Sequence, residues 1–344
     1  MKKKLLALVL AAAMTLSLAS CGGSKTETPS TGSDNSSASS DNSSAEGATY
    51  KVGICQLVQH PALDAATQGF IDALNEALPG QVEFENKNAS GEGNNCGTIV
   101  NGFVSEGVDL IMANATPALQ AAASATGDIP VLGTSVTEYG VALGIDGFTG
   151  TVGTNVSGTS DLAPLDQQAA MIKEWFPDAK TVGLLYSNSE ANSTTPIAEA
   201  KAYLDAKGIA YVEKTGNTND EIMTAASSMV GQVDAVFTPT DNVVMAAAAA
   251  VSETLTKGGI PFYTGADSFV TAGAFATCGV NYTELGTYTA DMALDILETG
   301  VVPAYHIMDG GIITVNTETA AALGIDYSAF NDLAGQVVEV TTAE

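Results

Sequence analysis

The chain has 344 residues, with 39 acidic side chains against 12 lysines and no arginine, for a net charge of −27. That balance excludes a nucleic-acid-binding surface, which needs clustered basic side chains, and reads as a device for solubility rather than a match to one basic partner. With 45% hydrophobic residues, the length is enough for two domains of ordinary size, each with its own core.

Lys2, Lys3 and Lys4 precede an apolar run over 5–18, which leads into Leu18-Ala19-Ser20-Cys21. A basic start, a short apolar stretch and small residues make an export signal, and the run falls short of the ~20 residues a membrane span needs. Residues 1–21 are therefore predicted to be a signal peptide. Leu-Ala-Ser-Cys resembles the lipobox of secreted lipoproteins, which implies that Cys21 is acylated and anchors the chain to the extracytoplasmic face of the cell membrane. Residues 22–49 are dominated by Ser, Thr, Asn, Asp and Gly, too polar to offset the entropy of ordering. They are predicted to be a flexible tether with a span of about 30 Å. Cys55, Cys96 and Cys278 show no C-x-x-C spacing, so neither a disulfide framework nor a zinc site is indicated, and Cys55 and Cys278 fall in strand patterns as buried thiols. No cofactor and no metal are expected.

From residue 50 the pattern alternates strand and helix. A strand over 51–58 leads through His60-Pro61 into a helix with Ala66, Phe70, Ala73, Leu74 and Ala77 on one face, stopped by Pro79-Gly80. A strand over 82–86, a helix over 97–106, a strand over 108–113, a helix opened by Thr116-Pro117 and a strand over 129–133 follow. The second half predicts helices over 164–176, 196–207, 220–230 and 243–255, with strands over 182–186, 209–213, 233–238 and 261–264. A last section adds a strand over 277–281, a helix over 284–297, a strand over 311–315 and a short helix ending at Gly324. The halves echo each other at a separation of roughly 130 residues: Lys51-Val52-Gly53 with Lys180-Thr181-Val182-Gly183, Val108-Asp109 with Val233-Asp234, and Ile129-Pro130 with Ile260-Pro261. A repeat of that length is a duplicated domain. Strands alternating with helices imply parallel sheets covered on both faces.

Ligands of such sheets sit at the carboxyl ends of the strands, where loops enter helices. In the first half this selects Gln56, His60 and Asp64, then Asn114, Ala115 and Thr116, then Ser135, Val136 and Thr137. In the second half it selects Ser189, Glu190, Ala191, Asn192 and Ser193, then Asp241 and Asn242, then Asp267, with Asp161 near the crossover. The loops hold carboxylates, hydroxyls and amides and no basic side chain. A ligand carboxylate would use helix N-termini, and a ligand ammonium one of the acids. That describes a zwitterionic amino acid, although sugars also use Asp, Asn and hydroxyls. Asp241 is the expected partner of the amine, with Glu190 on the same wall; the alternative is that Asp241 caps the helix starting near Val243. His60 either touches the ligand or caps its helix. With two histidines and no H-E-x-x-H, G-x-S-x-G or Walker A pattern, no catalytic constellation is visible, and no enzyme is expected.

The runs Gly158-Thr159-Ser160-Asp161-Leu162-Ala163-Pro164, Tyr186-Ser187-Asn188-Ser189-Glu190-Ala191-Asn192-Ser193, Asn114-Ala115-Thr116-Pro117 and Thr240-Asp241-Asn242 resemble the TrpX-type substrate-binding proteins of ABC transporters. Glu138 departs from that pattern, which has Asp or a small polar residue there. The resemblance implies a type I periplasmic-binding-protein fold, α/β, with two Rossmann-like lobes of parallel sheet joined by hinge crossovers. Their expected extents are 50–160 with about 282–304, and 161–281 with about 305–344. It further implies a permease and an ATPase as partners and an aromatic amino acid, tryptophan, tyrosine or phenylalanine, as ligand. A sugar- or nucleoside-binding protein of the same fold is the alternative, and a cell-surface enzyme a third reading.

Overall fold

Residues 49–150, 152–163 and 179–343 are described by the computed structural model. The predicted signal peptide, almost all of the tether and the predicted helix at 164–176 lie outside the described residues. In the first lobe β1 (Tyr50–Gln56), β2 (Val82–Asn88), β3 (Leu110–Asn114), β4 (Val131–Val136) and β5 (Val156–Ser160) pair in parallel in the order β5-β4-β3-β1-β2. In the second, β6 (Thr181–Tyr186), β7 (Ala210–Thr215), β8 (Ala235–Thr238), β9 (Phe262–Thr264) and β10 (Ala276–Gly279) repeat the same plan in the order β10-β9-β8-β6-β7. The duplication reaches side-chain detail. Asp109 Oδ2 accepts the N–H of Lys51 at 2.7 Å, and Asp234 Oδ2 accepts those of Lys180 and Thr181 at 2.8 Å, so an acid at one strand's start pins its neighbour in both lobes.

Helices α1 (Pro61–Ala77), α2 (Gly93–Glu106), α3 (Thr116–Ala125) and α4 (Tyr139–Leu143) belong to the first repeat; α5 (Thr194–Lys207), α6 (Asn219–Met229), α7 (Asn242–Ala246), α8 (Ala248–Lys257) and α9 (Asp267–Thr271) belong to the second. The helix expected over 243–255 is thus two helices, broken at Ala247, which leaves helical geometry at φ −107, ψ 4.

The chain passes between the lobes three times: after β5, after β10, and after a short strand paired with β5. On the second passage α10 (Tyr282–Thr299) returns to pack along α1. A Cβ on Gly286 would run into the Ala66 carbonyl and one on Gly69 into that of Thr283, so both glycines are needed for the close approach. The short strand, β11 (His306–Ile307), pairs with β5 and keeps the chain in the first lobe slightly beyond the expected return near 304. After four intervening residues β12 (Ile312–Asn316) enters the second sheet, continued by α11 (Thr317–Leu323) and β13 (Gln336–Val340). β12 lies antiparallel to β10, against the expectation of wholly parallel sheets, because it arrives from the first lobe without a helical crossover to turn the chain around. The lobes also share apolar packing: Ala62 and Ala66 of α1 join Leu185, Val244, Phe269, Tyr282 and Leu285 in one buried cluster.

Candidate functional site

The carboxyl ends of the two sheets face each other across a closed cleft with about 20 Å³ of free volume, room for about one water molecule, so a larger ligand needs the lobes to part. The first lobe contributes His60, Ala62 and Leu63 from the start of α1, and Ser135 from β4. The second contributes Asn192, Thr240, Asp241, Asn242, Met245, Ala266, Ser268 and Phe269. Asp161 and Tyr282 enter from the first and second interlobe passages. Two contacts bridge the cleft and hold it closed: His60 Nε2 to Asn242 Oδ1 at 3.3 Å, and Thr137 Oγ1 to Thr240 Oγ1 at 3.0 Å.

Of the two acids brought to this cavity, Asp241 has no capacity left for a ligand. Its Oδ1 accepts the N–H groups of Val243 and Val244 at 3.0 Å each, capping α7. Its Oδ2 accepts Ser187 N and Ser193 Oγ at 2.7 Å each. A carboxylate offers about four lone-pair sites, and all four are used, so the capping alternative describes Asp241 as it stands. Asp161 differs. It is 3% exposed; its Oδ2 accepts the Tyr282 hydroxyl at 2.8 Å, while its Oδ1 has no hydrogen-bond partner. Burial pushes its carboxyl above the usual range, opposed by hydrogen bonding from Tyr282, and after it from Thr137 and the backbone N–H of Asp161 itself.

Donors face that acid. The N-terminus of α1 has His60 at the cap position and no side chain caps it. Pro61 has no N–H and that of Asp64 bonds the His60 carbonyl, so the N–H groups of Ala62 and Leu63 and the dipole are what could meet an anion, with the Asp64 carboxylate in the same turn. The hydroxyls of Ser135 and Ser268 are buried without partners. Ser135 sits at φ 54, where the pairing of β4 with β5 shifts register. This strain at the end of a strand places it at the cavity rather than in the sheet ladder.

Glu190 is 7% exposed, and its Oε2 accepts both the backbone N–H of Asn242 at 3.3 Å and its side-chain amide at 2.7 Å. Burial, and after it the neighbouring Asp241 charge, pushes Glu190 up to about 7. Burial holds the His60 imidazole below its usual value, against the Asn242 hydrogen bond.

The remaining predicted residues form a supporting layer. Gln56 donates to Asp64 Oδ1 at 2.6 Å and accepts from Thr67 at 2.7 Å, and Asn114 donates to Thr67 Oγ1 at 2.9 Å and to the Leu63 carbonyl at 2.8 Å. Together they fix the first turns of α1. Ala115 and Thr116 start α3 outside the cavity, Val136 packs in the first core, and Asp267 opens α9 beside the cavity without lining it. Ser189 bonds Ser187 at 2.7 Å, and Ala191, Asn192 and Ser193 make a 3₁₀ turn whose Asn192 donates to the Thr240 carbonyl at 2.7 Å. Pattern reading missed Met245, Phe269 and Tyr282, which come from helix faces. Among the described residues no cluster of three or more His, Cys, Asp or Glu could hold a metal, and no helix is long and apolar enough to cross a membrane.

Two α/β lobes closing on a cleft, with three passages between them, make the fold of the type I periplasmic binding proteins. A family model described as ABC transporter substrate binding protein matches residues 51–337. The chain belongs to this family, the extracytoplasmic substrate-binding components of ABC transporters. It is 34% identical to a tyrosine-binding protein of Clostridioides difficile, over 93% of this chain and 92% of that one. Among solved structures it resembles an ABC domain in complex with L-Trp from Streptococcus pneumonia (TM-score 0.79, 32% identity, 85% of this chain and 100% of that one). It also resembles the ligand-free, open structure of a substrate binding protein with adhesive properties from Clostridium difficile (TM-score 0.66, 37% identity, 86% and 100%). An ABC sugar transporter subunit from Rhodobacter sphaeroides, at 16% identity and TM-score 0.57 over 77% of this chain and 98% of that one, shares the fold alone.

Proposed function

We propose that this chain binds an aromatic L-amino acid in the closed cleft and delivers it to the permease and ATPase of an ABC importer. The observation that carries the reading is the free Oδ1 of Asp161, a buried carboxylate oxygen without a partner beside an uncapped helix N-terminus. An ammonium compensates the one and a carboxylate the other. Leu63, Met245 and Phe269 on the cavity wall suit a ring, and the relatives named for tyrosine and found with L-Trp support the ligand class. The lobes would close by hinge motion at the passages.

The deciding experiment is calorimetry and thermal melting with L-Tyr, L-Trp and L-Phe beside glucose, galactose and nucleosides. Amino acids should stabilise the protein by about 2.7 kcal/mol at a hundredfold excess over Kd. Stabilisation by a sugar or nucleoside alone would replace this reading with the alternative ligand class. Anchoring at Cys21 is part of the proposal, motivated by Leu18-Ala19-Ser20-Cys21 after a short apolar run. Cys21→Ala should shift the protein from the membrane fraction to a soluble one; retention after a high-salt wash would place the anchor elsewhere.

A further inference from the structure

We propose that His60 reads the hydrogen-bond donor on the ligand's ring, the phenol O–H of tyrosine or the indole N–H of tryptophan, and that Glu190 and Asn242 are positioning residues that fix its tautomer. The inference rests on the aromatic amino-acid reading and deepens it from a ligand class to a basis for discrimination.

The proton positions follow from the network. Glu190 Oε2 accepts two N–H groups of Asn242, from its backbone at 3.3 Å and its side-chain amide at 2.7 Å. The amide nitrogen of Asn242 therefore faces Glu190, and its Oδ1 faces His60 across the cleft. Oδ1 only accepts, so the His60 Nε2 at 3.3 Å is the nitrogen that carries the proton. Burial keeps the ring neutral, which leaves Nδ1 as a bare acceptor. That Nδ1 is enclosed and has no partner, and His60 lines the cavity. A buried acceptor left unpaired is unfavourable, and a ligand donor removes the penalty.

The ring is the source of that donor for two reasons. The ammonium is matched by the charged Asp161, and a neutral acceptor suits a neutral donor. The surroundings of His60 also have the form of a slot for a ring. Leu63 lies in the first turn of α1 just after the cap residue His60, Met245 lies three residues beyond Asn242 on the same face of α7, and both line the cavity. Leu63 and Met245 thus give the cavity apolar groups beside the polar pair that bridges the lobes, and a ring held between them would bring its edge to His60. Because Asn242 belongs to the second lobe and His60 to the first, this tautomer is selected only when the cleft closes.

The test compares L-Tyr, L-Trp and L-Phe by calorimetry and reads the imidazole nitrogens by ¹⁵N NMR in the L-Tyr complex. The chain has only two histidines, so a His306→Gln variant assigns the signals. The wild type should bind L-Phe about ten- to hundredfold more weakly than the other two, the loss expected for an unmatched buried acceptor. His60→Leu should lower L-Tyr and L-Trp affinity by about ten- to hundredfold more than L-Phe affinity, because loss of the bridge to Asn242 weakens all three alike while loss of the acceptor affects only the first two. In the L-Tyr complex Nε2 should carry the proton and Nδ1 show the shift of a hydrogen-bonded acceptor; Asn242→Leu should turn this single tautomer into a mixture. A proton on Nδ1, equal wild-type affinity for all three ligands, or an equal loss for all three in His60→Leu each overturns the assignment. The NMR result decides by itself if the His60 variant does not fold. Failure of the wild type to bind any of the three removes the functional reading and this assignment with it, whereas binding of all three without discrimination removes only the assignment.

Discussion

Asp161→Asn is expected to weaken aromatic amino-acid binding by about 2 to 5 kcal/mol, the cost of leaving a desolvated ammonium without its carboxylate, while the ligand-free protein melts no lower than wild type. The two halves of that expectation have one cause. In the ligand-free cavity the carboxylate is 3% exposed with one oxygen unpartnered, and burial raises its pKa from the ordinary 3.8. A raised carboxyl favours the fold below its unfolded pKa, and that contribution is lost as pH rises through the folded value. At neutral pH the charge therefore costs stability until a ligand compensates it. Asparagine keeps an oxygen to accept the Tyr282 hydroxyl and removes the charge. Calorimetry with L-Tyr and L-Trp, paired with melting curves at pH 7, measures both halves. Unchanged affinity would disprove the ammonium assignment; a large fall in melting temperature without ligand would show that Asp161 serves the fold instead.

Why the sequence points to Asp241, while the proposed partner of the ammonium is Asp161, follows from where the two acids sit. Each comes just after a sheet strand, at the point where ligand contacts gather. What separates them is the use of their lone pairs. Asp241 is consumed by two N–H groups of α7 and two donors from 187 and 193, residues roughly fifty positions earlier. Such spending is set by tertiary approach, which no local pattern encodes. The duplication was legible because it is written in local signals: matching apolar strands, and acids that cap the neighbouring strand at Asp109 and Asp234. β5 was not, since Val156-Ser157-Gly158-Thr159-Ser160 has one large apolar residue, though all five are buried. Its hydroxyls are matched by distant ones, Thr159 to Thr289 at 2.7 Å, and Gly158 at φ 140 lets β4 approach where a Cβ would clash with the Gly133 backbone. Tyr282 was missed for a related reason. It is the first residue of a helix that starts with an Asn281 cap, a signal for a helix start that says nothing about which side chain turns into a cleft.

Glu190→Gln is expected to stabilise the ligand-free protein at pH 8 by on the order of 1 to 3 kcal/mol and to change it little at pH 5. Glu190 and Asp241 are neighbouring buried acids and burial raises both. The four donors on Asp241 favour its charged form, and burial together with that charge pushes Glu190 from 4.5 to about 7. The contribution of an acid raised in this way is fully present below its unfolded pKa and disappears as pH rises through the folded value. The window is therefore about pH 4.5 to 7, and above it the wild type holds a second, poorly solvated negative charge that glutamine lacks. His60 titrates with the opposite sign: its lowered pKa favours the fold above about 6.5, with that contribution lost as pH falls. The comparison is accordingly the variant minus the wild type at each pH, from which the His60 contribution cancels. Asp241→Ala, by contrast, should lose about 2 to 4 kcal/mol at both pH values, because it strips α7 of its cap and leaves buried N–H groups of 187, 243 and 244 unpaired. Denaturant titrations at pH 5 and pH 8 separate the cases. A Glu190→Gln protein less stable than wild type at pH 8 would mean that the Glu190 charge supports the fold, and that the proton of this pair resides on Asp241 instead.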